Sequence, residues 1–168
     1  LVARVLYERR EFRKAETRAQ QAAEQHYRSH ELDRLLGQLH FIHQRFAQAL
    51  AQFQLLPDAD FASRELESML GQCFFHLADY DAAVTALASL LARLEPNTAP
   101  YSEAAFMLGC AWESKGDIAH AQKHWAAVEH HSRYFPAAGE KLRFYSQVVH
   151  DPALQQFLAC PFVQFRIA

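Results

Sequence analysis

Apolar side chains recur along the chain with the spacing of an α-helix. The clearest stripe consists of Leu66, Met69, Leu70, Cys73, Phe74 and Leu77. Intervals of three and four residues place these side chains on one helical face, and nothing in this stretch alternates with the period of two that a strand requires. A second stripe runs from Ala83 to Leu94, and Asp79 stands where its carboxylate can cap the new helix. The two stripes predict an antiparallel helical hairpin.

The hairpin pattern repeats. Gly37 and Gly71 are 34 residues apart, each follows a leucine, and each precedes an alanine by 12 residues. Gly109 repeats the arrangement after 38 residues, and the loop at 96–100 accounts for the four extra residues. Small residues let the two helices of a hairpin approach closely. Because one such hairpin cannot bury its apolar stripe alone, successive hairpins are expected to stack.

These positions resemble the tetratricopeptide repeat family. The resemblance rests on the Leu-Gly pairs at 36–37, 70–71 and 108–109, the alanines at 15, 49, 83 and 121, the aromatic residues at 12, 46 and 80, and Gly116 in a turn. It implies an all-α fold, a right-handed α-solenoid of about four helical hairpins with a C-terminal capping helix. Residues 1–133 are assigned to the repeats and residues 134–168 to the cap, a short helix and a tail.

The predicted boundaries at the two ends follow from the same register. The first repeat is incomplete because Leu1 falls inside its first helix, so we expect the native chain to continue before Leu1. The capping helix is predicted at about 136–149. Asp151 and Pro152 then predict a short helix that ends near Ala159, followed by an apolar tail at 160–168.

Composition supports a helical protein and narrows the classes of partner. The chain has 29 alanines and 20 leucines against 7 valines and 3 isoleucines, a balance that favours helices over strands. The net charge of −2 provides no basic surplus for nucleic acid, so no nucleic-acid partner is predicted. No apolar run approaches the roughly 20 residues that cross a bilayer, so no membrane insertion is expected. We expect a cytoplasmic protein, with the periplasm as the alternative.

The sequence offers no catalytic motif. It contains no G-x-S-x-G motif and no glycine-rich phosphate loop, so we predict that the protein is not an enzyme and needs no cofactor. The pairs His26/His30, His40/His43 and His120/His124 have the spacing of a two-histidine metal site, but nothing completes a ligand set. We therefore predict no metal and expect solvated histidines. His76 is the exception, because it shares a helical face with Gln72, where a ligand could contact it.

In the family, one face of each first helix lines a concave groove that binds extended peptides or helices of a partner protein. The resemblance places here Tyr7, Glu31, Arg34, Gln38, Phe41, Glu65, Gln72, Phe75, His76, Glu103 and Phe106. Four of these residues would form an aromatic ladder of partner-binding anchors, namely Tyr7, Phe41, Phe75 and Phe106. The three glutamates would form one edge of the groove, which favours a basic or apolar segment of the partner.

Two other interpretations remain open at this stage. The aromatic residues could pack against neighbouring repeats, and the glutamates could form a solvated face. The functional prediction is a non-catalytic scaffold or adaptor that binds another protein. The alternative is a structural module that self-associates, or stacks within a longer repeat protein, through its outer edge, its open first repeat and the tail at 160–168. The tail could also fold into the groove and block it.

Overall fold

A computed structural model describes residues 1–25, 27, 29–57, 63–129 and 136–150. These residues form helices joined by turns and short connections, and the described ranges contain no strand. The helices are α1 (Val2–Glu8), α2 (Phe12–Glu24), α3 (His30–Ile42), α4 (Phe46–Phe53), α5 (Arg64–His76), α6 (Tyr80–Ala92), α7 (Ala99–Ser114), α8 (Ile118–Glu129) and α9 (Pro136–His150). The predicted all-α class is confirmed.

The helices belong to two compact units, Leu1–Ala86 and Leu87–Ala168. In the first unit, α1 packs on α2, α3 packs on α4, and α2 and α4 pack on the helices that follow them. In the second unit, α7 packs on α8, and α8 packs on α9. Three-residue turns separate the two helices of each hairpin, as expected for antiparallel neighbours. The predicted helical hairpins are thus present in both units.

Side chains cap several helices at their first turn. Ser29 Oγ accepts a hydrogen bond from the Leu32 amide at 3.2 Å, and Thr98 Oγ1 accepts one from the Tyr101 amide at 3.4 Å. Asp79 Oδ1 accepts from the Ala82 amide at 3.2 Å, which confirms the predicted cap of α6. Each cap satisfies an amide that has no carbonyl partner within its helix.

Glycine allows two close contacts between paired helices. A Cβ atom on Gly37 would lie 2.3 Å from Phe53 Cε1, and one on Gly109 would lie 2.3 Å from Trp125 Nε1. Both rings are fully buried. Small residues at the close approach of the two helices are predicted from the sequence. The group that faces each of these two glycines is an aromatic ring, which fills the space that the absent Cβ leaves.

Each hairpin turn contains one residue with a left-handed backbone. Arg10, Gln44, Ala78 and Gly116 have φ angles of 61°, 58°, 60° and 83°. In every turn, the amide of this residue donates to the carbonyl three residues earlier, and the next amide donates to the carbonyl five residues earlier. This pair of hydrogen bonds is the Schellman motif, which satisfies carbonyls at the end of a helix. The repeat therefore extends to the backbone of the turns.

The protein is expected to be more stable with glycine at position 78, because a Cβ atom is unfavourable in the left-handed region of backbone angles. We expect Ala78→Gly to raise the free energy of unfolding by about 0.5–1 kcal/mol, after allowance for the greater freedom of glycine in the unfolded chain. Urea denaturation followed by circular dichroism measures the change. Gly116→Ala is the reverse substitution at the same position of another turn and serves as the control. No heavy atom lies within 4 Å of a Cβ built there, so its expected loss reflects backbone strain alone.

Some predictions fall on residues outside the described ranges. These are His26, the short helix between Asp151 and Ala159, and the tail at 160–168. Cys73 and Cys110 are free, and burial raises the pKa of their thiols to about 12 and about 11.

None of the helices that the structure describes has both the length and the apolar character needed to cross a membrane.

Candidate functional site

In the first unit, three of the predicted groove residues converge from three different helices. The side-chain amide of Gln38 on α3 donates to Glu65 Oε1 on α5 at 3.3 Å. The pKa of Tyr7 on α1 is raised by burial and, to a smaller extent, by the negative charge of Glu65. The first helices α1, α3 and α5 thus bring Tyr7, Gln38 and Glu65 to one surface, which we call the Glu65 surface.

Gln38 has a buried hydrogen-bond acceptor without a partner beneath this surface. The residue is 5% exposed, and its Oε1 atom is buried with no hydrogen-bond partner among the described residues. Leaving a buried acceptor unpaired costs roughly 1–3 kcal/mol. The Glu65 carboxylate can accept hydrogen bonds but cannot donate them. It therefore fixes the orientation of the Gln38 amide, with Nε2 towards the carboxylate and Oε1 away from it.

The other polar residues of the predicted groove in this unit lie on α3 and α5. Gln72 Nε2 donates to Ser68 Oγ on its own helix at 3.2 Å. Glu31 is exposed and Arg34 is half-buried. Both line a cavity of about 610 Å³, together with Arg4, Arg18 and Tyr27. Arginine therefore outnumbers glutamate in this cavity, whereas the Glu65 surface carries an exposed carboxylate.

The predicted aromatic residues of the first unit pack within their own hairpins. Tyr7 contacts Phe12, Phe41 contacts Phe46, and Phe75 contacts Tyr80, each edge to face with ring centroids 5.6–5.8 Å apart. Each pair joins the end of one helix to the first residue of the next. The alternative considered from the sequence was packing against neighbouring repeats, whereas these three contacts lie within single hairpins. All six rings are half-buried, so part of each remains accessible.

His76 connects two of these aromatic pairs, a contact that the sequence does not predict. Its ring stacks on Phe46 with centroids 4.1 Å apart and an angle of 9° between the planes, and it contacts Phe75 edge to face at 5.6 Å. The resulting row of five rings is Phe41, Phe46, His76, Phe75 and Tyr80. His76 is exposed, in agreement with its predicted accessibility.

The second unit contains the remaining two predicted residues, Glu103 and Phe106, both on α7. Glu103 is exposed, whereas Phe106 is half-buried against a core that includes Trp125 and Tyr145. Trp125 Nε1 donates to the Phe106 carbonyl at 3.4 Å. Phe106 lies three residues before Gly109, whereas Phe41 and Phe75 lie four residues after their glycines, so it does not continue their register.

Glu113 occupies the register position of Phe41 and Phe75 in the second unit. Its Oε1 atom accepts a hydrogen bond from Tyr145 Oη at 2.7 Å, and its other oxygen pairs with Lys141. The pKa of Tyr145 is raised by burial and by this carboxylate. The ring of Tyr145 stacks on Trp125 at 5.9 Å. Glu113 therefore holds α9 against the fourth hairpin.

The histidines differ from the prediction of a solvated surface. His40 is 9% exposed, so the prediction is wrong there. His120 is exposed and bonds to Asp117 at 2.7 Å. His124 is half-buried, lines a cavity of about 410 Å³ beside Trp112, and has a pKa lowered by burial. Within the described part of the chain, no group of three or more histidine, cysteine or acidic side chains could hold a metal ion.

Comparisons with known proteins identify the repeats. Residues 3–62 match the sequence model of the tetratricopeptide repeat family. The fold is similar to that of MamA in its crystal structure, with a TM-score of 0.69, 20% sequence identity, and coverage of 84% of this chain and 81% of that chain. No curated protein matches the sequence. The resemblance seen in the sequence is therefore confirmed over residues 3–62, which match the tetratricopeptide repeat family.

Proposed function

We propose that the chain is a non-catalytic scaffold or adaptor that binds a peptide or helical segment of a partner protein through the faces of its first helices. Tetratricopeptide repeats generally mediate protein–protein interactions, which supports the class of function. The observation that carries the proposal is the convergence of Tyr7, Gln38 and Glu65 from α1, α3 and α5. Glu103 and Phe106 are proposed to serve the same purpose within the second unit.

The Glu65 surface favours a partner segment that carries hydrogen-bond donors and positive charge. The exposed carboxylate of Glu65 attracts lysine or arginine side chains and repels acidic ones. The same carboxylate can also accept hydrogen bonds from donor groups of the bound segment. The half-exposed ring of Tyr7 provides apolar contact area beside these polar groups.

A pair of labelled peptides tests this proposal. The two 15-residue helical peptides carry the same leucines and differ only in lysine or glutamate at the polar positions, and fluorescence anisotropy measures their binding to the full chain. We expect the lysine peptide to bind more tightly. Glu65→Gln should weaken its binding by roughly two- to fivefold, because an exposed ion pair contributes about 0.2–1 kcal/mol.

Glu24→Gln is the matched control, because Glu24 is exposed at the end of α2 and lies outside the predicted groove. This variant should bind the lysine peptide as the unaltered chain does. Equal affinities for the two peptides, or an equal loss of affinity in both variants, would refute the Glu65 surface as the binding site. Circular dichroism of each variant checks that helicity is unchanged.

A further inference from the structure

One buried carboxylate in the first unit lies among three basic side chains from the next hairpin. Glu16 projects from α2, and its side chain is 14% exposed. Its carboxylate pairs with Arg45, the residue that precedes α4. His43 Nε2 lies 3.4 Å from Glu16 Oε2, and His40 Nδ1 lies 3.7 Å from Oε1. We call these four residues the Glu16 cluster.

The two imidazoles of the cluster have unused hydrogen-bonding atoms. His40 Nδ1 and His43 Nε2 are buried and have no hydrogen-bond partner among the residues that the structure describes. The ion pair of Glu16 with Arg45 already balances the charge of the site. A proton added to the His40 imidazole therefore leaves an excess positive charge in a largely buried position, which is costly.

The Glu16 cluster lies where the first hairpin packs on the second. Glu16 belongs to α2, the second helix of the first hairpin, whereas His40 lies in the last turn of α3, and His43 and Arg45 lie in the connection to α4. We propose that the Glu16 cluster is a proton-operated joint: protonation of His40 at mildly acidic pH loosens the packing of the first hairpin on the second.

The charges around His40 determine the sign of the effect. Burial and the positive charges of Arg45 and His43 lower the pKa of His40, and only Glu16 raises it. Burial is the largest of these effects, so the packed state disfavours the proton that a solvated imidazole takes up near pH 6.5. The contribution of His40 to stability is therefore complete above about pH 6.5. It is lost as the pH falls from there towards the lowered pKa of the folded state.

Unfolding of the full chain in urea at pH 7.5 and pH 5.5 tests the joint. We expect the unaltered chain to lose stability between these values, with up to about a tenfold rise in the unfolding equilibrium constant from His40. His40→Gln removes the titrating group and should abolish this part of the loss. His30→Gln is the matched control, because His30 is exposed at the start of the same helix and its replacement should leave the pH dependence unchanged.

Two further measurements use the unaltered chain, so they test the proposal even if a variant fails to fold. NMR titration of the His40 ring should give a pKa below 6.5. Amide hydrogen exchange, corrected for its intrinsic pH dependence, should show that α1 and α2 lose protection at pH 5.5 while α7 and α8 keep theirs. A His40 ring that titrates at or above 6.5 would overturn the proposal, as would an equal loss of protection in both units or an unchanged pH dependence in His40→Gln.

Discussion

Replacement of Trp125 by alanine should lower the free energy of unfolding of the second unit by about 3–5 kcal/mol. Trp125 is fully buried, its indole fills the space over Gly109, and its ring stacks on Tyr145. Truncation removes the buried apolar surface of the indole and leaves a cavity that the surrounding helices can only partly fill. Lys141, which lies over the indole at 4.9 Å, also loses a cation–π contact.

Urea denaturation followed by far-UV circular dichroism measures this loss. Trp112→Ala is the matched control, because Trp112 is only half-buried and its ring is stacked on the exposed His120. We expect the control to cost less than half as much. If Trp125→Ala lowered the free energy of unfolding by less than about 1 kcal/mol, Trp125 could not be the centre of the second unit's core.

The second large effect is expected from Gly37→Ala, because the new Cβ atom would overlap the ring of Phe53. The separation of 2.3 Å is too short for two carbon atoms, and Phe53 is fully buried. The ring can therefore move only if α3 and α4 separate. Overpacking of this kind costs about 2–3 kcal/mol, and the same denaturation experiment should detect it.

Phe53→Leu in the Gly37→Ala background should recover part of the loss, because the smaller side chain makes room for the methyl group. The double-mutant cycle then gives a favourable coupling energy between the two positions. Gly139→Ala on α9 provides the contrast. No heavy atom lies within 4 Å of a Cβ built at Gly139, so alanine there should be neutral or stabilising through its helix propensity. An additive cycle would contradict the close contact.

The repeat spacing allows the helices and much of the core to be predicted from the sequence. Ala15, Ala49, Ala83 and Ala121 are all fully buried, because each fills the same small position in its hairpin. The left-handed turns are harder to predict. Glycine marks only the turn at Gly116, whereas Arg10, Gln44 and Ala78 have no preference for positive φ and adopt it because the two helices pack on both sides.

The candidate site and the Glu16 cluster are only partly predictable, since several of their contacts depend on rotamers and on residues distant in sequence. The hydrogen bond from Gln38 to Glu65 spans 27 residues, and the contact of Glu16 with Arg45 spans 29. The groove assignment placed Gln38 and Glu65 on one face, but it does not specify the bond between them. For Phe41 and Phe75, the sequence could not decide between packing and exposure, because a half-buried ring at the end of a helix packs on one side and is exposed on the other.

The recurrence of one turn geometry in four different sequences has a practical consequence. The three-residue connections at 9–11, 43–45, 77–79 and 115–117 share the same pair of backbone hydrogen bonds. A connection that depends on its backbone can be exchanged for another of the same length without redirecting the helices that it joins. Segment 115–117 should therefore be transplantable into position 9–11, and hairpins from related arrays could be recombined at these junctions to build chimeric proteins.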